Sequence, residues 1–255
     1  MVQNESERTV QAVRTALDII EYLQHEERAG VTELSNELGR SKSTVHSHLT
    51  TLVQGDYLIR DGSEYRLSLR YLDLGETVKE RLEYYEVAKA ELDDLAEESG
   101  ELAQFATEEH GMVVYLYKSK GEKAVESASS VGKREYPHCI SLGKAILAHL
   151  PRERVETIIE HNGLPEFTPQ TIMRRGELFE ELDRIRERGY AFDNEEKIQG
   201  LKCVAAPITG PDGNILGALS VSGPSSRMTG ERFTEEIPNM VTRSANVIEI
   251  NTQFS

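Results

Sequence analysis

The chain of 255 residues has no tryptophan and only two cysteines, Cys139 and Cys203. Two cysteines so far apart in sequence give no disulfide framework, so we expect a reducing compartment, the cytoplasm. No apolar run approaches the ~20 residues of a membrane-spanning helix, and the polar, acidic residues 1–8 do not have the pattern of a signal peptide. The sequence therefore predicts a protein without a membrane partner.

Positive charge is also scarce: 29 lysines and arginines stand against 44 aspartates and glutamates, a net charge of -15. Phosphate affinity comes largely from lysine and arginine, so this balance argues against nucleic-acid binding by the chain as a whole. Residues 40–60 differ, because Arg40, Lys42 and Arg60 are accompanied there by one acidic residue, Asp56. The acidic excess elsewhere indicates a halophilic source. Concentrated salt screens charge attraction, so DNA recognition would then depend on contacts in the groove.

Residues 31–54 predict two short helices separated by Gly39, because apolar residues recur at helical spacing on both sides of it. Gly39 suits the left-handed residue that ends a helix, and Ser41 is placed to cap the second helix. The second helix exposes short polar side chains that can meet base edges and phosphates in a major groove. The candidate DNA-binding residues of this segment are Arg40, Ser41, Lys42, Ser43, Thr44, His46, Ser47 and Thr50.

A helix before this segment and a hairpin after it complete a winged helix-turn-helix. Residues 9–25 predict the first helix, and residues 57–60 and 64–67 predict two short strands around a turn signal. We expect Arg60 and Arg66 in this wing to contact phosphate or the adjacent minor groove. The main apolar stripe expected on the first helix comprises Val10, Val13, Leu17 and Ile20, with Ile19 and Leu23 beside it.

Apolar residues recur every three or four positions over residues 71–99, which predicts one continuous linker helix. Its apolar side suits pairing with a second copy of the chain or packing on the next domain. The predicted fold class is α+β: a winged helix-turn-helix at 9–70, the linker helix at 71–99, and an antiparallel sheet flanked by helices at 100–255. In the last domain we expect strands at 102–107, 112–118, 203–209 and 215–222, and helices at 141–150, 152–161, 174–188 and 230–250, the last interrupted by Pro238.

Two hydroxyls in the expected strand 215–222 indicate a possible ligand site. Because side chains alternate along a strand, Ser220 and Ser222 point to the same side, roughly 7 Å apart. The alternative is that both serines are simply solvated. The same alternation places Leu216 and Ala218 with the serines, and Ile215, Gly217, Leu219 and Val221 on the opposite face.

Other polar residues are predicted to approach these serines. Cys203 begins the paired strand, and Asp193 lies in an expected acidic loop, residues 192–196. Ser141 begins a helix whose free N–H groups favour an anion such as a carboxylate. Hydroxyls, a helix start and apolar walls suit a small organic acid or a sugar-derived ligand.

Signs of catalysis are weak. Gly143 and Lys144 lack the earlier glycine of a phosphate-binding loop, and His138 beside Cys139 lacks the four-ligand spacing of a zinc site. The chain has no Gly-x-Ser-x-Gly motif. We therefore expect no enzyme, no cofactor and no metal.

Three sequence blocks in this order resemble the isocitrate lyase regulator (IclR) family of transcription factors, over about residues 9–250. The blocks are Lys42–His46 with Leu49, Leu52, Val53 and Gly55–Leu58, then His138–Ala148, then Gly200–Ile208 with Gly217–Pro224. The resemblance implies a winged helix domain, a linker helix and a GAF-like effector domain, assembled as a homodimer or a dimer of dimers. It also implies binding to a palindromic operator of double-stranded DNA, and control of a catabolic operon in response to a small metabolite such as an organic, sugar or aromatic acid.

Positions that bind the effector in this family correspond here to Ser141, Asp193, Leu201, Cys203, Ser220 and Ser222. Two residues depart from the family pattern. Arg40 replaces a usual apolar residue and so can reach phosphate, and Ser141 replaces a usual glycine or alanine and narrows that end of the pocket. The competing class is a GAF-type ligand-binding or catalytic protein with a vestigial helix-turn-helix. Loss of Lys42 or of the wing arginines would favour that class, and all are present.

Overall fold

The chain folds into two units, each with its own sheet and helices. The computed structural model describes residues 9–125 and 130–253, so the polar chain start at residues 1–8 lies outside the described part. Contacts within the chain divide it into two compact units, Met1–Arg81 and Leu82–Ser255.

The first unit is a winged helix-turn-helix, as predicted. Its elements are α1 (Gln11–Glu26), β1 (Ala29–Gly30), α2 (Val31–Glu37), α3 (Lys42–Gln54), β2 (Leu58–Asp61), β3 (Glu64–Leu67) and α4 (Arg70–Lys79). The strands pair antiparallel in the order β1-β3-β2. The hairpin of β2 and β3, called the wing, turns at Gly62, whose φ of 63° is a conformation that glycine adopts without steric cost. Strand β1 was not predicted, because two residues are too few to show a period.

Helix α1 turns a different face to the core than predicted. Its buried residues are Thr15, Ile19 and Leu23. The exposed apolar residues at this end of the chain are Val10, Val13 and Leu17. The prediction failed because the buried stripe includes Thr15, a polar residue that an apolar pattern does not count. Its Oγ1 donates to the Gln11 carbonyl at 3.1 Å, so the hydroxyl is hydrogen-bonded although it is buried.

The prediction of one continuous helix over residues 71–99 is wrong. The structure has two helices, α4 and α5 (Tyr85–Ser99), separated by the non-helical residues 80–84. Helix α4 buries none of its residues, whereas α5 packs its apolar side in the core of the second unit. The apolar period continues through both helices, which is why the sequence predicted a single one. A period shows which residues share a face of a helix, but not which surface that face packs against.

The second unit is an antiparallel sheet between two layers of helices. Its elements after α5 are β4 (Leu102–Glu109), β5 (Met112–Lys120), β6 (Arg134–Glu135), α6 (Ser141–His149), α7 (Arg152–Asn162), α8 (Arg175–Arg188), β7 (Ala191–Asn194), β8 (Leu201–Thr209), β9 (Ile215–Pro224) and α9 (Ile237–Gln253). The strands lie in the order β6-β5-β4-β9-β8-β7. Helices α6, α7 and α8 share one apolar core with the sheet, and α5 and α9 share the other, which confirms the α+β plan.

The interruption predicted at Pro238 takes the form of a π-helical turn, Arg232–Glu236, directly before α9. Proline has no backbone N–H, so it cannot donate the regular helical hydrogen bond to the preceding turn. The wider turn accommodates this missing donor.

A β-bulge changes which residues share a face of β9. The pairing of β8 with β9 shifts register between Ile208 and Thr209, which leaves Leu216 as an extra residue. After the bulge, the faces follow the predicted alternation. Before it the prediction is wrong, because Ile215 packs with the layer of α6 and Leu216 packs with the layer of α5 and α9.

Asp193 lies in a strand, not in the predicted acidic loop. Strand β7 pairs antiparallel with β8 at the edge of the sheet, and Asp193 is opposite Cys203. The alternate residues Ala191 and Asp193 are buried. The acidic composition concealed the strand, because one of its two inward-facing side chains is a carboxyl group.

Gly143 in α6 lies against the preceding chain. A Cβ there would be 2.3 Å from the Pro137 carbonyl oxygen, whereas a Cβ at Gly176 in α8 would meet nothing within 4 Å. We expect Gly143→Ala to lower the free energy of unfolding of the second unit by ~1–3 kcal/mol through overpacking. The matched control Gly176→Ala should raise it by up to ~1 kcal/mol, since alanine is the better helix former. Urea denaturation measures both, and equal effects of the two substitutions would contradict the packing described.

Candidate functional site

Helix α3 presents the predicted polar residues to solvent. Ser41 caps the helix, because its Oγ accepts a hydrogen bond from the Thr44 N–H at 3.1 Å. Val45 and Leu49 face the core, which fixes the outward side of the helix. The exposed residues of this surface are Arg40, Ser41, Lys42, Ser43, Thr44, His46, Ser47 and Thr50. All eight predicted positions in this segment are therefore accessible to a nucleic acid.

Two hydroxyls on this surface already act as donors within the helix. Ser47 Oγ donates to the Ser43 carbonyl at 3.0 Å, and Thr50 Oγ1 donates to the His46 carbonyl at 2.8 Å. A hydroxyl has one donor and two acceptor lone pairs, so both residues present acceptors outward. Acceptors of this kind match the amino groups of adenine and cytosine in a major groove.

The structure separates the two wing arginines. Arg60 is opposite Tyr65 and Arg66 is opposite Ile59 in the hairpin, so the arginines point to opposite faces of the wing. Arg60 is exposed, and its Nε donates to the Gly62 carbonyl at 3.1 Å. Arg66 is half-buried. A partner molecule that binds one face of the wing therefore contacts only one of the two arginines directly.

A cavity of about 100 Å³ lies between the sheet and the start of α6 in the second unit. The structure brings all the predicted ligand-site residues together in its wall. They are Ser141, Asp193, Leu201, Cys203, Ser220 and Ser222. These residues come from α6 and three strands, so only the folded sheet assembles them.

Strand register sets the spacing of the polar wall. Asp193, Cys203 and Ser222 are paired in turn across β7, β8 and β9, and so form one row. Ser220 is opposite Gln104 of β4 in the next row. Ser222 Oγ donates to Gln104 Oε1 at 3.2 Å. Neighbouring strands lie ~4.8 Å apart, so the rows form one continuous side of a small ligand site.

The inner end of the cavity contains the Ser220 hydroxyl and the first N–H groups of α6. Ser220 is 1% exposed, and its Oγ has no hydrogen-bond partner among the described residues. Ile140, the residue before α6, provides no side-chain cap, so the first N–H groups of that helix lack acceptors within the helix. A carboxylate placed here accepts from both.

A buried ion pair lies beside this end of the cavity. Lys144 of α6 is hydrogen-bonded to Glu196, and both side chains are buried. Asp193 Oδ1 accepts from the Glu196 N–H at 2.8 Å. Burial, followed by the charge of Glu196, raises the pKa of Asp193 to about 7, although Lys144 acts in the opposite direction. Asp193 therefore gains and loses its proton near neutral pH.

Sequence reasoning missed the mouth of the cavity. Glu135 accepts from Lys133 Nζ at 2.9 Å and from Lys197 Nζ at 2.7 Å, and all three residues line the cavity. Burial raises the pKa of Glu135, but the two lysines outweigh this effect and hold the pKa below its ordinary value. Single lysines far apart in sequence give no motif. The other wall residues that were not predicted are Gln104, Tyr115, Ile140, Leu142 and Ile198.

Both cysteines are buried, and they form no disulfide. Cys139 is buried, and its Sγ donates to the Tyr136 carbonyl at 3.4 Å. Burial raises the pKa of Cys139 to about 12 and holds the pKa of Cys203 well above its ordinary value. Within residues 9–125 and 130–253, no group of three His, Cys, Asp or Glu side chains is arranged to hold a metal ion. The helices of the same ranges are all too short or too polar to cross a membrane.

Two family models match the chain. The model described as "IclR helix-turn-helix domain" matches residues 12–62. The model described as "Bacterial transcriptional regulator IclR C-terminal" matches residues 76–250, which is more than half of the chain. The first match runs from α1 to the turn after β2, and the second covers the six-stranded sheet and the cavity.

Similar proteins align over almost the whole chain. The HTH-type transcriptional regulator ArcR of the halophilic archaeon Halobacterium salinarum is 32% identical over 98% of this chain and 97% of its own length. The solved structure of the Thermotoga maritima IclR has a TM-score of 0.79 at 26% identity, and the match covers 95% of this chain and 98% of that one. An IclR homologue of Microbacterium hydrocarbonoxydans, solved with 4-hydroxybenzoate, shares the fold with a TM-score of 0.84 at 22% identity, covering 96% of this chain and 100% of that one.

Asp193 should make the second unit less stable as pH rises. Its carboxyl group has a pKa of about 7 when folded and 3.8 as the reference value, so the folded state holds the proton more tightly. Stability is therefore lost between about pH 4 and pH 7 as the unfolded chain ionises first. We expect Asp193→Asn, which stays neutral, to be more stable than the natural chain by ~2–4 kcal/mol above pH 7, with a smaller difference at pH 5.

Urea denaturation at several pH values measures this difference. The exposed Asp94 provides the matched control, and Asp94→Asn should show no such trend with pH. A constant difference between Asp193→Asn and the natural chain from pH 5 to pH 8 would show that Asp193 does not titrate in this range.

Proposed function

This chain belongs to the IclR family of metabolite-responsive, DNA-binding transcriptional regulators, and we propose that it controls a catabolic operon through a palindromic operator and a small organic acid. The observation that carries the proposal is the cavity lined by the six predicted residues. One of them, Ser220, has a hydroxyl without a partner among the described residues, and no side chain caps the start of α6. A site of this composition suits a carboxylate. Ligand and DNA bind at different sites, so regulation is a coupling free energy between the two.

On the DNA side, α3 is the helix that enters the major groove. Its first turn and the residues before it contact phosphate, with Lys42 as the cation and Arg40 and Ser41 beside it. The polar residues further along α3 meet base edges. One arginine of the wing reaches the adjacent backbone or minor groove. The support for this assignment is the exposed, locally basic surface of α3 on a chain whose net charge is -15.

The volume of the cavity favours a ligand smaller than an aromatic acid. The Microbacterium homologue was solved with 4-hydroxybenzoate, which contains a benzene ring. A protein cavity of ~150 Å³ holds one benzene molecule, whereas the cavity here is about 100 Å³. The volume and the uncapped start of α6 together favour a short aliphatic acid.

The active form is a homodimer, or a dimer of dimers, in which the N-terminal units pair through α1 and α4. Clusters of exposed apolar residues mark protein interfaces. A twofold dimer presents two copies of α3 to half-sites about one helical turn, ~34 Å, apart, which matches a palindrome. The exposed apolar residues that support this interface are Val10, Val13, Leu17, Leu69, Leu72, Leu74 and Val78.

The proposal includes no catalysis, cofactor or metal, and it places the protein in the cytoplasm. Proteins of this family are transcriptional regulators. The competing class, a GAF-type ligand-binding or catalytic protein with a vestigial helix-turn-helix, is less well supported, because Lys42 and the polar side of α3 are fully presented to solvent.

Lys42→Ala should weaken operator binding and reduce its dependence on salt. The substitution removes one phosphate contact, so we expect the Kd to rise about 5–10-fold at ~0.1 M salt and the slope of log Kd against log salt to fall by about one. Fluorescence anisotropy with the DNA upstream of the chain's own gene measures both quantities, at low and at high salt.

Lys89→Ala in the second unit is the matched control and should bind the operator normally. Sedimentation equilibrium should show a dimer or a multiple of it for both variants, which also tests the proposed assembly. If the natural chain is a folded dimer and binds no specific DNA at either salt concentration, the proposed function is wrong.

The double variant Ser220→Ala and Ser222→Ala should lose the response to ligand and keep its affinity for DNA within about twofold. The two hydroxyls line the cavity of the second unit, whereas α3 belongs to the first. The measurement is the change in operator affinity on adding propionate, malonate or succinate, with Ser226→Ala as an exposed serine control. A parallel loss of response and of DNA binding would show that the serines are structural instead.

A further inference from the structure

Asp193 is a buried carboxyl group in the wall of the cavity. It is 2% exposed and lies in one row with Cys203 and Ser222. Its Oδ1 accepts from the Glu196 N–H at 2.8 Å, which fixes the side chain against the segment after β7. The cavity measures only about 100 Å³, so a molecule bound in it lies within a few ångströms of this carboxyl group.

The lysine beside Asp193 is already paired with another carboxylate. Lys144 Nζ is hydrogen-bonded to Glu196, and both side chains are buried. Among the described residues, Asp193 itself forms no salt bridge. Two carboxyl groups thus share one buried ammonium group, and a buried charge without its own partner is costly. Burial, followed by the charge of Glu196, therefore favours the neutral form of Asp193 and raises its pKa to about 7.

The protonation of Asp193 decides how well an anion fits this cavity. At a separation of a few ångströms, repulsion between two carboxylates weakens binding by roughly a hundredfold or more. A protonated carboxyl group instead has an O–H donor. This donor adds to the Ser220 hydroxyl and to the free N–H groups at the start of α6.

We propose that Asp193 binds the effector in its protonated form, donating a hydrogen bond to the carboxylate of the effector, so that each effector molecule is bound together with one proton; this inference rests on the regulatory function proposed above. When Asp193 is ionised in the empty cavity, the proton comes from solvent. The effector is then a carboxylate without an ammonium group, and the regulator responds to it more strongly as pH falls.

The other ionisable groups around Asp193 do not account for such a response. Two ion pairs face it, Lys144 with Glu196 and Lys197 with Glu135. Burial raises the pKa of Glu135, but the hydrogen bond from Lys197 and the other lysine contacts outweigh this effect, so Glu135 stays ionised. Burial also raises the pKa of three neighbours and lowers that of a fourth, which keeps all four neutral near pH 7: Tyr115, Cys139, Cys203 and His138.

Isothermal titration calorimetry of the full chain with propionate tests the proposal. Propionate is ionised throughout pH 6 to pH 8, as carboxyl groups in water are. If it binds only beside protonated Asp193, its Kd should rise about tenfold from pH 6 to pH 8. Binding should take up about one proton per site at pH 8 and almost none at pH 6. Proton uptake is obtained from the binding enthalpies in two buffers of different ionisation enthalpy.

Asp193→Asn keeps a hydrogen-bond donor at this position and cannot ionise. Its Kd for propionate should change by less than about twofold over the same pH range, with no proton uptake. At pH 8 it should bind propionate about tenfold tighter than the natural chain does. Asp94→Asn is the matched control, because Asp94 is exposed on α5, and this variant should keep the natural pH profile.

β-Alanine, which has the same number of carbons as propionate and an added ammonium group, tests the opposite role for Asp193. An ionised Asp193 that pairs with an ammonium group would make β-alanine bind tighter than propionate at pH 6, with release of a proton. That result overturns the proposal. It is also overturned if the Kd for propionate is constant from pH 6 to pH 8, if the pH dependence survives in Asp193→Asn, or if neither compound binds. The regulatory function is judged separately, by the binding of ligand-free protein to its operator.

Discussion

The buried ion pair of Lys144 and Glu196 is the interaction on which the cavity depends. An unpaired buried charge costs several kcal/mol, so α6 cannot shift against the segment after β7 without separating the pair. The same segment is held from another side, because the hydroxyls of Thr168 and Thr171 donate to the Glu196 carbonyl at 3.2 and 2.6 Å. Asp193 accepts from the Glu196 N–H. One residue thus fixes the start of α6, the end of β7 and the chain before α8 around a single small space.

The parts of the structure that could be predicted from the sequence are those that depend on neighbouring residues. Ser41 caps α3 through the N–H of a residue three positions later, and Ser220 and Ser222 share a face of β9 because side chains alternate along a strand. Neither feature depends on residues elsewhere in the chain. The face of α1 and the break between α4 and α5 depend on the surface that each helix meets, so period alone did not give them. The mouth of the cavity was missed for the same reason, because Lys133, Glu135 and Lys197 meet only when β6 and the loop after β7 are in place.

Charged and uncharged polar residues are separated both along the cavity and along helix α3. The net charge of the whole chain, -15, does not show this. In the cavity, uncharged donors occupy the inner end, a carboxyl group that titrates near neutral pH lies beside them, and lysines occupy the mouth. On α3, Lys42 stands at the start of the helix and hydroxyl acceptors follow. In both places lysines stand at one end and neutral hydrogen-bonding groups follow.

The bulge at Leu216 bears on how this protein tolerates changes in length. The Leu216 carbonyl accepts hydrogen bonds from Tyr84 Oη at 3.2 Å and from Thr107 Oγ1 at 2.8 Å, so the bulge is tied to the residue before α5 and to β4. Everything beyond it, from Ala218 to Ser222, is held in register by strands on both sides. An insertion or deletion in the hairpin tip at residues 210–214 is therefore absorbed before the bulge. The tip can vary among related chains while the two cavity hydroxyls keep their positions.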